Sequence, residues 1–443
     1  HLALLGLLNS SVAGFWLRQV CHNKGLLGQQ SGITSEKWEQ FIQLSGTAAG
    51  KFPVTELKPF SLARSLDSLG QDFIASLPDA IVGRGLPTHA ALEEGRVMAG
   101  RIRGRMIGLQ EELDWECYRL YGLLGDGLRY PDDDLPEIQL GERAFEIVMA
   151  RKMAKGELQT SWFERHGSTP IVEIPAHWPD AYRSLVERRI RVIETNKEIG
   201  LIERPEYKRR WNDEPWRDKQ QRALKGWLLD RLESPRYWPD VDLQTTARLA
   251  DRASADAEFL QVAALYRGRP DYDVTALVHE LVEAESVPFL PVLRYKPSGL
   301  RKREVWERTW DLQRQEDAGK DVGDIPVPPK YTSADFLKND VWRLRGKLDV
   351  PKERWVGHPH LQTESDPTLV VGWAGWDHLQ QATALVAYYD ARKREGWDAR
   401  RLTPILAGLD QLLPWIHQWH PEIDPEFGDT AGQSYQSLLE NDA

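Results

Sequence analysis

Met98-Ala-Gly-Arg-Ile102-Arg-Gly-Arg-Met106-Ile-Gly-Leu109-Gln-Glu-Glu-Leu113-Asp-Trp-Glu-Cys117-Tyr-Arg-Leu120 sets an apolar residue at every third or fourth position without a break. That spacing predicts a helix between Leu92 and Leu123, about 45 Å long at 1.5 Å per residue. A single apolar seam on so long a helix requires a partner helix or a bridge between two lobes. Charge is distributed unevenly along it: Arg96, Arg101, Arg103 and Arg105 crowd the first half, and Glu111, Glu112, Asp114 and Glu116 the second. The helix dipole favours the opposite order. Arg101, Arg103 and Arg105 are therefore expected to face something negative or a neighbouring lobe. The adjacent acids Glu93-Glu94 and Glu111-Glu112 point to different helix faces and are expected to be solvated.

Working outward, residues 1–23 read as a hydrophobic strand or helix start, with turn chemistry at Asn9-Ser10-Ser11 and a second apolar stretch from Val12 to Val20. Residues 25–60, rich in Gly, Pro and Ser, read as a long and partly irregular surface connection. Beyond the loop Gly125–Pro136, with its run Asp132-Asp133-Asp134, residues 141–155 are helical, and Thr169–Pro175 reads as a short strand fenced by prolines. Further helices are predicted over Tyr182–Glu198 and Trp216–Leu232, and a helical hairpin over 244–266 and 273–286, split by Gly268-Arg-Pro270. Val287–Leu293 reads as an edge strand, because its prolines cannot donate to a ladder. Trp376–Trp397 and Leu402–Trp419 are two apolar-faced helices. The fold class is α+β, predominantly helical. The predicted divisions are 1–124, 125–290 and 291–443.

A chain of 443 residues with 41% hydrophobic residues can bury a core in each of two or three domains. Its net charge of −10 excludes a globally basic polyanion binder. Positive charge is local instead: segments 151–230 (17 basic, 13 acidic) and 291–354 (15 basic, 11 acidic) alternate with acidic ones, and 355–443 carries 13 acids against 5 bases. Two cysteines, Cys21 and Cys117, cannot form a disulfide framework and point to a reducing, cytoplasmic compartment. The apolar start Leu2–Leu8 is far shorter than the roughly 20 residues of a membrane span and lacks a basic leader. It begins without Met, as expected of a cut inside a longer polypeptide.

Several chemistries are missing. Gly100-Arg-Ile-Arg-Gly104 sits inside the helical stripe with no strand before it, so no phosphate-cradling loop is predicted. No Gly-x-Ser-x-Gly elbow occurs, and Pro328-Pro329, flanked by Val327 and Lys330, is not the Asn/Asp-Pro-Pro-Tyr loop that clamps a flipped adenine. His358-Pro-His360, His378, His417 and His420 do not assemble the three or four converging ligands of a zinc site, and no metal is expected. No residue is assigned a catalytic role.

Cations do meet aromatics at two places. Arg294, Lys296, Arg301, Lys302 and Arg303 lie on a passage from strand through turn into a helix that carries Trp306 and Trp310. Lys208-Arg209-Arg210-Trp211 forms the second cluster, followed by Arg217, Lys219, Arg222 and Lys225. Basic residues interleaved with Trp and Tyr suit a phosphate grip plus stacking, and double-stranded DNA is the partner they suggest. Arginine stems packed over abundant tryptophans account for the same composition without a ligand.

Leu5–Trp16, His22–Gly25, Trp38-Glu-Gln-Phe41 and Leu109–Gly122 resemble the stretch after the catalytic core in the PglX family of adenine-specific DNA methyltransferases of phage-exclusion (BREX) systems, relatives of type IIG restriction-modification enzymes. Trp162–Pro170, Glu203–Trp211, Arg294–Arg303, Gly346–Arg354 and Gly372–Trp376 resemble the type 2 BREX branch. The resemblance covers nearly the whole chain. It implies a C-terminal half: a target-recognition domain with a long connecting helix, then a helical C-terminal region. It also implies that the S-adenosylmethionine and base-clamping motifs lie upstream, so that this portion is inert alone. The implied partners are duplex DNA, the upstream methyltransferase core and other BREX components. The alternative is a protein-interaction module docking defence subunits or phage proteins.

Overall fold

The computed structural model describes every residue except 27–35, 126, 131–134, 346–351, 426, 427 and 443, with backbone alone for 23–26 and 41. Parts of the 25–60 connection, the run Asp132-Asp133-Asp134 and most of the Gly346–Arg354 string therefore lie outside the described residues. Two compact units emerge, His1–Gln220 and Gln221–Ala443. Both are mostly helical with little sheet, as the periodicity predicts.

The first unit opens with α1 (Leu2–Leu8) and α2 (Ser11–Val20). Ser10 separates them and caps α2, its hydroxyl accepting from the Ala13 amide. Strands β1 (His22–Leu26) and β2 (Gln40–Gln43) pair antiparallel and are followed by α3 (Gly46–Ala49), so the described part of 25–60 is more regular than its composition suggests. Then come α4 (Phe60–Ser76), α5 (Pro78–Gly83) and α6 (His89–Leu120), the predicted long helix, capped by the Thr88 hydroxyl. Helices α7 (Ala144–Ala154), α8 (Trp162–Arg165), α9 (Asp180–Thr195) and α10 (Lys197–Ile202) close the unit. Residues 170–175 form no strand: Pro170 and Pro175 lack amide donors, and the Val172 carbonyl accepts from Arg151 Nε at 2.8 Å.

Helix α11 (Trp216–Leu232) has the bounds its pattern predicts. The second unit continues through β3 (Gln244–Thr245), α12 (Thr246–Ser254), α13 (Ala257–Arg267) and α14 (Val274–Ala284). The helix expected over 244–266 is broken at Asp256, whose carboxylate caps α13. Strand β4 (Ser286–Pro288) is followed by α15 (Pro297–Asp317), α16 (Asn339–Arg345), β5 (Trp355–Gly357) and β6 (Val370–Trp373), and then α17 (His378–Arg394), α18 (Ala399–Trp419) and α19 (Ala431–Asp442). The sheet order is β3-β6-β5-β4, with β4 parallel to β5 at the edge, where its proline is tolerated. Trp355 pairs with Trp373 and Val356 with Gly372. A Cβ on Gly372 would meet the Trp376 ring at 3.0 Å, so the sheet accepts only glycine there without movement.

Gly268 ends α13 in the left-handed region at φ +69°. Nothing lies within 4 Å of an added Cβ, so Gly268→Ala tests conformation alone. It is expected to lower the stability of the second unit by about 1 kcal/mol in denaturant unfolding.

Candidate nucleic-acid interface

In the first unit, α6 is buried over an unbroken run from Gln110 to Trp115. Glu111, Glu112 and Asp114 are buried, contrary to the expectation that adjacent acids on this helix are solvated. Their partners come from far along the chain. Lys208 Nζ lies 2.8 Å from Asp114, 2.9 Å from Glu203 and 3.4 Å from Glu111; Arg189 meets Glu112 at 2.8 Å. Asp114 also accepts from the Ser11 amide and hydroxyl at the start of α2, and Tyr118 donates to Glu203. Arg143, at the start of α7, pairs with Glu146 at 2.8 Å. The charge order along α6 that opposes its dipole thus has an internal cause: its acids receive cations inside the unit.

Five buried carboxylates face three buried cations here, an imbalance that favours the protonated form of one acid. Burial pushes the Glu111 carboxyl up to about 7; Lys208 pulls it down, while Glu203 and Asp114 push it further up. Neither of its oxygens has a hydrogen-bond partner. Burial disfavours the Lys208 ammonium, yet the surrounding acids hold its proton and raise its pKa.

Lys208 is therefore not a phosphate ligand: it is 5% exposed and neutralised within the core. Arg209 and Arg210 stay at the surface. Arg143 Nη1 donates to the Arg209 carbonyl at 2.8 Å and so anchors the segment from below. Arg209 donates to Asn9 Oδ1 and covers the Trp211 ring; Arg210 donates to the Trp38 carbonyl and covers its ring. On α6, Arg101 and Arg105 are exposed, while Arg103 is half-buried beside a cleft of about 300 Å³ that also holds Asp213 and Glu214.

In the second unit the five predicted cations separate by environment. Arg294 is buried and donates through Nε to the Pro288 carbonyl at 2.6 Å and through Nη2 to that of Phe289. Burial, with Arg345 and Arg303 nearby, lowers its pKa to about 9. It is withdrawn as a duplex contact. Lys302 is held by Asp335 at 2.7 Å and by the Lys330 carbonyl; Arg303 pairs with Glu307 at 2.7 Å. Lys296, the N-cap residue of α15, and Arg301, one turn on, are exposed. Among the described residues neither forms an ion pair. Helix α15 buries only Gly299 of its 21 residues, the others being exposed or partly buried.

Trp306 and Trp310 on α15 meet Trp415 of α18 at 5.9 and 5.4 Å between ring centroids, and His378 stacks on Trp415 at 5.5 Å. Arg345, His378 and Trp415 lie 51 to 121 residues from Arg294 in sequence, so local composition could not have joined them. The excess of aromatics near cations was the available signal.

Among the described residues no group of three His, Cys, Asp or Glu side chains is placed to hold a metal, and no helix is long and apolar enough to cross a membrane. Gly100–Gly104 lies within α6, its amides bonded along the helix, so it cannot cradle a methyl donor.

Comparison with known proteins agrees with the resemblance read from the sequence. Residues 106–443 match the family model described as a domain of unknown function, DUF7008. The chain is 49% identical over 442 residues to the adenine-specific methyltransferase PglX of Streptomyces coelicolor, covering 96% of this chain and 36% of that protein, in its C-terminal part. No solved structure matches. The chain belongs to the DUF7008 family and, over nearly all of its length, is similar to the C-terminal part of PglX.

Proposed function

We propose that this chain is the DNA-recognition portion of an S-adenosylmethionine-dependent adenine-specific DNA methyltransferase acting in the bacterial cytoplasm against phage, as part of a BREX system. It grips duplex DNA and transfers no methyl group alone, a reading supported by a sequence without an Asn/Asp-Pro-Pro-Tyr motif. The identity to PglX is the observation that carries the reading. The phosphate contacts assigned are Lys296 and Arg301 at the start of α15, and Arg209 and Arg210 in the first unit. Amides at a helix N-terminus and the positive dipole end reinforce the first pair.

The test is fluorescence anisotropy of a labelled duplex against salt. Replacing Lys296 and Arg301 together by Ala should weaken binding to all sequences alike and reduce the slope of log K on log salt by about 1.8, the release expected for two phosphate contacts. An unchanged affinity and slope would remove this helix from the interface.

A further inference from the structure

A pocket of about 240 Å³ in the second unit opens beside α15. Three guanidinium groups line it, those of Arg294, Arg303 and Arg345, against one lining carboxylate, Glu353. The acid is committed: Arg345 holds it at 2.5 Å and its side chain is 1% exposed. The Arg345 Nε has no hydrogen-bond partner. Trp306, Trp415 and His378 supply an aromatic wall: Trp415 packs on Trp306 at 5.9 Å and on His378 at 5.5 Å between ring centroids, and Arg314 covers the Trp415 ring. Burial lowers the His378 pKa, so near neutral pH that wall is uncharged. The mutual proximity of the three cations is visible in Arg294, whose proton Arg345 and Arg303 both disfavour.

A pocket lined by three guanidinium groups, of which buried Arg294 has no carboxylate partner among the described residues, and by flat aromatic rings is complementary to an anion attached to a planar ring. Guanidinium forks suit phosphate, and indole faces suit a base. The volume is too small for a duplex. We propose that this pocket binds a single nucleotide, with the phosphate toward Arg303 and Arg345 and the base against Trp306 and Trp415. The proposal does not depend on the duplex grip assigned above. Such a nucleotide has two sources, a free mononucleotide or one swung out of a DNA strand, and both present the same chemistry.

The experiment is tryptophan-fluorescence titration of the intact chain with AMP, adenosine and inorganic phosphate, followed by competition of AMP against two labelled DNAs, a perfect duplex and one carrying a single-nucleotide bulge. AMP should bind at least about tenfold more tightly than adenosine or phosphate alone. Arg303→Gln, whose partner Glu307 is surface-exposed, should weaken AMP by about tenfold and leave adenosine unchanged; Trp306→Leu should weaken both. Arg345 is left intact because its removal would strand buried Glu353. Displacement of the bulged DNA by AMP assigns the site to an extrahelical nucleotide; AMP binding without such displacement assigns it to free nucleotide. No AMP binding at millimolar concentration, or equal binding by wild type and both variants with native circular dichroism, overturns the proposal.

Discussion

Lys208→Met is expected to destabilise the first unit by about 3–5 kcal/mol, the range for removing one partner from a buried ionic cluster. Asp114, Glu203 and Glu111 would lose their shared counter-ion while remaining enclosed. Methionine fills much of the lysine volume, so the loss reports charge and not a cavity. A penalty of that size is a large fraction of the roughly 5–15 kcal/mol that holds an ordinary domain together. Urea unfolding followed by near-ultraviolet circular dichroism measures it. Neutralising the acids as well, with Asp114→Asn and Glu203→Gln, should recover part of the loss, since an unpaired amide costs less to bury than a carboxylate. A lysine whose role was to hold DNA would behave oppositely: near-normal stability and weakened binding.

The second large effect is pH-dependent and belongs to Glu111. Its carboxyl stands at about 7 in the folded unit against an ordinary 4.5, chiefly because it is buried. Between those values the folded state holds a proton that the unfolded chain releases, so stability falls as pH rises. The contribution is complete below pH 4.5 and is lost as pH climbs through 7. Its size is on the order of 1–3 kcal/mol. Glu111→Gln removes the titration and keeps the shape. The variant should match wild type near pH 5 and exceed it near pH 8. Other groups slope the opposite way: Asp335, which Lys302 and the Thr332 amide hold down to about 2 against burial, stabilises above its ordinary 3.8 and ceases to below its folded value. The difference between variant and wild type isolates Glu111 from them. Parallel profiles across pH 5–8 would show that this acid is ionised in the fold.

Local signals were legible wherever the structure is local. The 3.6-residue period marked α6, α11 and α18 within a few residues, and Asn9-Ser10-Ser11 marked the break between α1 and α2. The prolines around Val287 correctly implied a sheet edge. What the sequence hid depends on distant pairing. Strand β3 has two residues and finds β6 more than 120 positions later, with no alternation long enough to read. Lys208 looks like one of three surface cations, but its partner Asp114 lies 94 residues upstream. Counting charge by segment cannot distinguish Lys208, inside a cage of acids, from Arg209 and Arg210 beside it at the surface. Arg294 was hidden for a similar reason: two backbone carbonyls, which composition does not record, fix it inside. The surface cations that remain, Lys296 and Arg301 on one unit and Arg209 and Arg210 on the other, are the part of the charge reading that the fold leaves available.

Binding of a 25-base-pair duplex by the intact 443-residue chain across a salt series tests the central reading most directly. The account predicts saturable binding at low salt, with log K falling linearly against log salt at a slope of about −3 to −4, one release for each of Lys296, Arg301, Arg209 and Arg210. A chain that is folded by circular dichroism yet leaves the duplex unbound at low salt would contradict it and favour the docking of protein partners instead.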